Sequence, residues 1–551
     1  MLLSAEVVSS LEKVLCRPEK SWEDFGELSG LRGERLSFQV AVKSKDAEYV
    51  NCRPADGFPY PDWLRIRLVE SVPCYHPGIN GDDDLLATVP SLLPDPLMEL
   101  DEHSRISRQN WHAFFVNVTI PRDAPVGELE IPLQVDAHGY FGEKSSLSVS
   151  KTIRIFETMM PDRQDANIIN WFYADCVMAQ HNVECWSEEH WALLEKYARN
   201  YAEHGSTLIL TPLWTVSLDI APGKQRPKCQ LLDITEVDGK YEFKLDRLER
   251  WINMIRKVGI RGLEISHVYT QWGAKHCPGI FVKDKNGVET MRFGWECSAV
   301  SPEYTDFLRQ LFAVLIPFLR QHGFDSTNCY FHVSDEPTLD HLESYSAAVK
   351  ALRPLLDGFS TIDALSHFEF YERGLVTHPV PDFQHLKPFL EADLEERWWY
   401  YAGSGKNMPG RYIGQPSRRN RVIGILMAFL GLDGGFLHWG YNNHSTFHST
   451  RFDIDPYKET DWGRCGYSGC GFLVYPGPDG PVDSIRNEVF FEAIQDYRAL
   501  KALEAKIGRQ GMIDVIVSSL PADAAPLAVN AVPKSNSWLL SLRNAVNAAL
   551  G

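Results

Sequence analysis

The sharpest chemical feature of the sequence is Phe331-His-Val-Ser-Asp335-Glu336-Pro337, an apolar run that ends in two adjacent carboxylates and a proline. The apolar residues predict a strand and the proline stops it, which puts both acids at one strand end. A solvated strand end or a helix cap is the plain structural alternative. Carboxylates that face each other across a sugar, about 5 Å apart in retaining glycosidases and farther in inverting ones, usually come from different strands. Neighbours on one strand aim instead at different sides of the chain. One acid can then reach a leaving-group oxygen while the other reaches a separate substrate group. That geometry suits substrate assistance, in which a sugar's 2-acetamido oxygen attacks its own anomeric carbon with the positioning entropy already spent. Glu336, with the longer arm, is the expected general acid and base. Asp335 is the expected acetamide orienter. To act as acid, Glu336 must hold a proton near neutrality, so burial beside an ionised Asp335 is expected to raise its pKa.

The elements that must position these acids follow from hydrophobic patterning. From about residue 165, apolar runs of five to eight residues alternate with stretches of helical periodicity, the pattern of a parallel sheet covered by helices. Strands are expected over 167–173, 207–213, 262–269, 328–333, 358–363, 376–382, 397–402 and 435–441, and helices over 188–204, 245–258 and 302–322. Eight such units predict a (β/α)8 barrel, with its site at the C-terminal strand ends. Before them, short alternating strands with Pro- and Gly-containing turns predict a β-sandwich. The expected fold is therefore multidomain: a β-sandwich over 1–160, a catalytic barrel over 161–510 and a small helical and apolar extension over 511–551.

Several aromatic and histidine side chains near the strand ends are candidate sugar contacts. Trp439 is a stacking floor or a core tryptophan. Tyr400 or Tyr401 is a donor to the acetamide oxygen, and alternation allows only one of them to face the pocket. Tyr371 is a second candidate for that bond. Trp171 and His267 are candidate contacts to hydroxyls, while His332, on an apolar strand, is expected to be a core histidine.

Ser334-Asp335-Glu336-Pro337 on the fourth strand, Trp398-Trp399-Tyr400 on the seventh and Gly434-Gly-Phe-Leu-His-Trp439 on the eighth resemble glycoside hydrolase family 123. Gly471-Phe-Leu-Val-Tyr-Pro-Gly477, followed by Ser484-Ile-Arg-Asn-Glu488 and Asp496-Tyr497, is similar to the segment that closes that family's barrel. The Pro125-Val-Gly127 hairpin is similar to its N-terminal sandwich, and the resemblance runs in order from about residue 30 to 505. It implies retaining β-N-acetylgalactosaminidase activity through an oxazoline-type intermediate, with Asp335 and Glu336 matching the family's adjacent pair. The preference for N-acetylgalactosamine comes from the resemblance alone. A glycosidase of the same architecture acting on another β-glycoside, such as an N-acetylglucosaminide, and a non-catalytic glycan-binding protein are the alternatives.

Composition bounds the partners. The 551 residues exceed what one hydrophobic core usually serves. Lys and Arg number 55 against 73 Asp and Glu, a net charge of −18 that repels phosphate backbones and anionic headgroups, so neither nucleic acid nor membrane is an expected partner. Aromatics reach 12%, enough flat amphipathic surface to meet sugar faces as well as to fill a core. The expected partner is a glycan ending in a β-linked 2-acetamido sugar. Eleven cysteines without a CxxC pair read as reduced thiols, and His276-Cys277 with Cys297 matches no zinc spacing, so no metal and no cofactor are expected. The N-terminus lacks the basic and apolar regions of a secretory signal, which predicts a cytoplasmic protein unless a signal has been removed.

Overall fold

The computed structural model describes residues 2–101, 104–401, 405–446, 448 and 450–551. The chain is multidomain, with a sheet-rich N-terminal region ahead of a parallel α/β region. In the former, a five-stranded antiparallel sheet runs in the order Leu3–Ser9, Arg35–Ser44, Trp111–Thr119, Leu64–Cys74, Ser91–Glu99. A four-stranded sheet runs in the order Leu28–Arg32, Lys144–Met159, Gly127–Gly139, Ala47–Pro54. Strand alternation assigns the residues to two cores. Phe38, Val40, Val42, Phe114 and Val116 meet Ile131, Leu133, Val135 and Ile153 between the sheets. Ala41, Ala113 and Phe115, on the other face, join Val489, Phe490 and Ile494 of helix Ile485–Ser518. Both faces of the five-stranded sheet are thus buried, which fixes the N-terminal region against the rest of the chain.

A buried ion network crosses that contact. The fully buried Arg67 donates to Asp483 Oδ2 at 2.6 Å and to Glu488 Oε1 at 2.5 Å. Arg67→Met leaves both carboxylates buried without this cation and is expected to destabilise the protein by about 3–5 kcal/mol. The check is the denaturation midpoint. A midpoint unchanged from wild type would show that the network contributes nothing to holding the two regions together.

Among the described residues, the α/β region contains eight parallel strands: β1 (Asn167–Asn170), β2 (Leu208–Thr211), β3 (Gly262–Ile265), β4 (Cys329–His332), β5 (Ser360–Leu365), β6 (His378–Pro381), β7 (Trp398–Tyr400) and β8 (Gly435–His438). Each overlaps its expected range, although Ala402, at the expected end of the seventh, lies outside the described residues. Helices Glu188–Glu203 and Pro302–Gln321 start where Ser187 and Ser301 accept the N–H of His190 and Tyr304. The long loops after β2 and β3 contribute hairpins to a separate four-stranded sheet, Asp233–Val237 and Lys240–Lys244 with Ile280–Lys283 and Glu289–Phe293.

The expected closed barrel is corrected in one respect. Hydrogen bonds divide the strands into a sheet β2-β3-β4-β5-β6 and a sheet β1-β8-β7, not one continuous ladder. The sequence of β6, His-Pro-Val-Pro, explains one break: Pro379 and Pro381 have no N–H to donate, and among the described residues the two sheets meet there through the bridge Asp382–Tyr400, where the Phe383 N–H donates to Tyr400 O at 2.9 Å. At the other break the Thr207 hydroxyl accepts the Ile168 N–H at 2.8 Å, and the Thr207 N–H donates to Ile168 O at 2.9 Å. Among the described residues, no helix is long and apolar enough to cross a membrane.

Candidate active site

β4 ends at His332, so Asp335 and Glu336 lie beyond the strand and escape its alternation. The Ser334 N–H donates to Asp363 Oδ2 at 3.0 Å, and the Ser334 hydroxyl donates to Thr270 O at 2.8 Å. Asp335 O accepts the Trp272 N–H at 2.8 Å, and the Glu336 N–H donates to Ala364 O at 2.9 Å. Glu336 has φ 43°, a left-handed conformation uncommon for a residue with a Cβ. This turn brings both half-buried acids to the wall of one cavity of about 310 Å³. The volume suits a single sugar.

Trp171, Tyr400 and Trp439 line the same cavity, as do Tyr173, Asp219, Trp272 and Trp462. The Tyr400 hydroxyl donates to Glu336 Oε1 at 2.8 Å. Trp439 and Trp462 sit 4.2 Å apart between ring centroids and make an aromatic wall. Trp171 Nε1 donates to both Glu264 oxygens, at 2.9 and 3.0 Å, which fixes its ring.

Three expected contacts are placed elsewhere, and the corrections have local causes. Strand alternation turns Tyr401 away from the cavity into the core behind β7, against Phe436 and with its oxygen accepting from Arg411 Nε at 3.2 Å. Tyr371 lies on the short helix Glu369–Glu372, and its hydroxyl donates to Asp393 O at 3.3 Å. His267 is fully buried behind Trp171 and stacks on His332 at 3.8 Å. His332 is a core histidine, as expected, with two carboxylates beside its ring. Its Nδ1 lies 2.6 Å from Glu264 Oε1 and its Nε2 3.5 Å from Asp363 Oδ1. Burial disfavours the imidazolium, yet the two carboxylates outweigh it and push His332 up to about 10.

Burial raises the pKa of both acids. Burial pushes Asp335 well above the ordinary carboxylate range, and the Glu336 charge adds to the shift. Burial also raises Glu336, against the pull of the Tyr400 hydroxyl and with Asp382 and Asp363 reinforcing it. An ionised Asp335 beside a protonated Glu336 was the expectation; in the structure both carboxyls are pushed up, Asp335 by burial and the Glu336 charge and Glu336 chiefly by burial. Asp219, on the loop after β2, is pushed up to about 7 chiefly by burial.

A ring nitrogen each of His267 and His332 and a carboxylate oxygen of Asp335 lie within 4.8 Å of one another. The two rings are stacked with planes 24° apart, so their in-plane lone pairs run side by side instead of converging, and His332 is already committed to two carboxylates. This trio fits a metal ion poorly.

Asp363 does not itself line the cavity but holds the peptide that leads into Asp335, while accepting the Tyr345 hydroxyl at 2.6 Å. It is a positioning residue. Asp363→Ala is expected to lower kcat by about 10²-fold with a smaller change in KM, because displacement of catalytic groups by about 1 Å has that cost. An equal loss in kcat on substrates of every leaving group would support positioning. A change confined to KM would contradict it.

Comparison with known proteins gives this geometry a family. Residues 171–503, more than half the chain, match the model for the glycoside hydrolase 123 catalytic domain. A family 123 glycoside hydrolase from Clostridium perfringens, solved in a study of glycolipid glycan hydrolysis, superimposes with a TM-score of 0.74 over 100% of this chain and 97% of that one at 13% identity. At that identity the likeness shows a common fold. A family 5 mannosidase from Rhizomucor miehei reaches a TM-score of only 0.35, at 10% identity over 64% of this chain and 95% of that one, and carries no weight. No curated protein sequence matches the chain. With the catalytic-domain match extending from Trp171 on the cavity wall to beyond Trp462, the protein is a glycoside hydrolase and belongs to family 123.

Proposed function

We propose that the protein is a retaining hydrolase of β-linked 2-acetamido sugars, with N-acetylgalactosamine as the preferred terminal residue and glycolipid-type glycans as the substrate class. The observation that carries this reading is the placement of Asp335 and Glu336 side by side on the wall of one sugar-sized cavity, with both pKa values raised. The two parallel sheets are read as two arcs of one (β/α)8 barrel over 161–510, preceded by a sandwich over 1–160 and followed by an extension over 511–551.

In the first step Glu336 protonates the glycosidic oxygen while the acetamide oxygen attacks the anomeric carbon from the opposite side. The leaving group departs, and a cyclic oxazolinium forms. Asp335 accepts the acetamide N–H and balances the positive charge. Glu336, now a carboxylate, takes a proton from water as that water opens the ring, so two inversions give retention. The Tyr400 hydroxyl, bonded to Glu336 Oε1, steadies that carboxylate between the steps. Trp439 and Trp462 offer the apolar sugar face a wall.

Three aryl β-glycosides test the reading: N-acetylgalactosaminide, N-acetylglucosaminide and galactoside. The expected order places the N-acetylgalactosaminide first and leaves the galactoside, which has no internal nucleophile, about 10³-fold or more behind. Comparable turnover of the galactoside would remove acetamide participation. Binding of the N-acetylgalactosaminide without turnover would replace a hydrolase with a glycan-binding protein.

A further inference from the structure

Beside the cavity lies a second, open groove of about 460 Å³, with His76, Ile79 and Asn80 on one wall and Arg464 and Tyr467 on the other. The second wall continues the loop that carries Trp462, which lines the cavity. Two residues of chain span at most about 7 Å, so groove and cavity adjoin. The loop is well held. Trp462, Gly463 and Arg464 take successive φ values of 60°, 74° and 67°, a left-handed run that must be imposed by contacts. The contacts are present: the Arg464 N–H donates to Asp461 Oδ1 at 3.1 Å, and the Ser468 N–H donates to His76 O at 2.9 Å, which ties the two walls together.

The charge of this groove runs against that of the protein. Arg464 lies over the Tyr75 ring at 5.5 Å, and among the described residues it makes no ion pair. Lys406 is exposed, also without an ion pair among the described residues, and its amine overhangs Gly81, next to Asn80, where an added Cβ would stand 2.8 Å from Nζ. Three nearby acids are already committed, Asp82 to Arg419, Asp83 to Lys534 and Asp84 to Arg418, while Asp461 Oδ2 lies 3.1 Å from His76 Nδ1 and its Oδ1 accepts the Arg464 N–H. In a chain of net charge −18, two cations without carboxylate partners therefore flank a groove that opens beside an acidic, sugar-sized cavity.

We propose that this groove is a subsite for an acidic, carboxylate-bearing sugar attached next to the residue held in the cavity. The inference rests on the glycosidase reading above. Arg464 supplies a planar donor fork that matches a carboxylate, and Lys406, over Gly81 just past Asn80, adds a point charge outside the far wall. Asn80 and Tyr467 offer neutral polar contacts to ring hydroxyls.

The test uses oligosaccharides with the same terminal β-linked N-acetylgalactosamine and three different neighbours: a neutral hexose, a sialylated hexose and a glucuronic acid. An aryl N-acetylgalactosaminide, which does not reach the groove, reports the cavity alone. The expected result is a kcat/KM at least about tenfold higher for an acidic neighbour than for the neutral one, worth about 1.4 kcal/mol. Arg464→Gln should erase that ratio, added salt should shrink it, and the aryl glycoside should be turned over equally by wild type and variant. Preference for the sialylated or the glucuronic neighbour identifies which acidic sugar the groove takes, and either supports the proposal. If the aryl glycoside is turned over but acidic and neutral neighbours are equal, the subsite is overturned while the glycosidase reading stands. If nothing is turned over, the glycosidase reading fails, and calorimetric binding of the same oligosaccharides decides the groove: equal affinity overturns it.

Discussion

Asp335→Asn is expected to lower kcat on 2-acetamido substrates by about 10²–10³-fold, the cost of losing one preorganised group aimed at developing charge. The loss should persist with an activated aryl leaving group, because the asparagine fails the oxazolinium and not the departing oxygen. The same substitution should stabilise the folded protein at mildly alkaline pH. Asp335 is raised above its unfolded value mainly by burial, so in the unfolded chain it ionises first. Stability therefore falls as pH rises from the ordinary carboxylate range through the raised value, and asparagine abolishes that fall. A Tm gain at pH 8 that disappears near pH 4 would match this sign. A Tm loss at pH 8 would mean that the Asp335 charge is favourable in the fold.

Glu336→Gln is expected to cost about 10²–10⁴-fold on natural glycans, whose leaving groups need a proton, and far less on activated aryl glycosides. The pH profile separates this role further. Glu336 must be protonated for the first step, so rate falls as pH rises through its elevated pKa. Glutamine cannot lose a proton in that range, and the basic limb should vanish from the variant's profile. A basic limb identical in wild type and variant assigns the acid to another group. Identical responses of the two variants to leaving-group ability would dissolve the division of labour between the acids.

Much of this site was legible because its chemistry is local. Asp335 and Glu336 stand together in the sequence, and the apolar run before them locates a strand end. Their relative aim was not legible, since it depends on the strand stopping at His332 and on the left-handed turn at Glu336. Tyr400 and Tyr401 were an unresolved pair because alternation gives two parities until one neighbour is known; the bond to Glu336 decides it. The burial of His332 could be read from its apolar surroundings, but its pairing with Glu264 and Asp363 joins side chains from β3, β4 and β5 that no local pattern connects. Asp219, Trp272 and Trp462 come from loops without periodicity. The only signal for the first two was the length of the loops after the second and third strands. The interrupted ladder had a visible cause in His378-Pro-Val-Pro381, whose prolines were readable as missing donors.

The most direct test is inhibition by a thiazoline analogue of N-acetylgalactosamine, which mimics the cyclic intermediate. The inhibition constant is expected to lie about 10²-fold or more below the KM of the matching aryl glycoside, as intermediate and transition-state mimics allow, and the inhibition should be lost in Asp335→Asn. Inhibition no stronger than that by free N-acetylgalactosamine, unchanged in Asp335→Asn, would contradict that expectation.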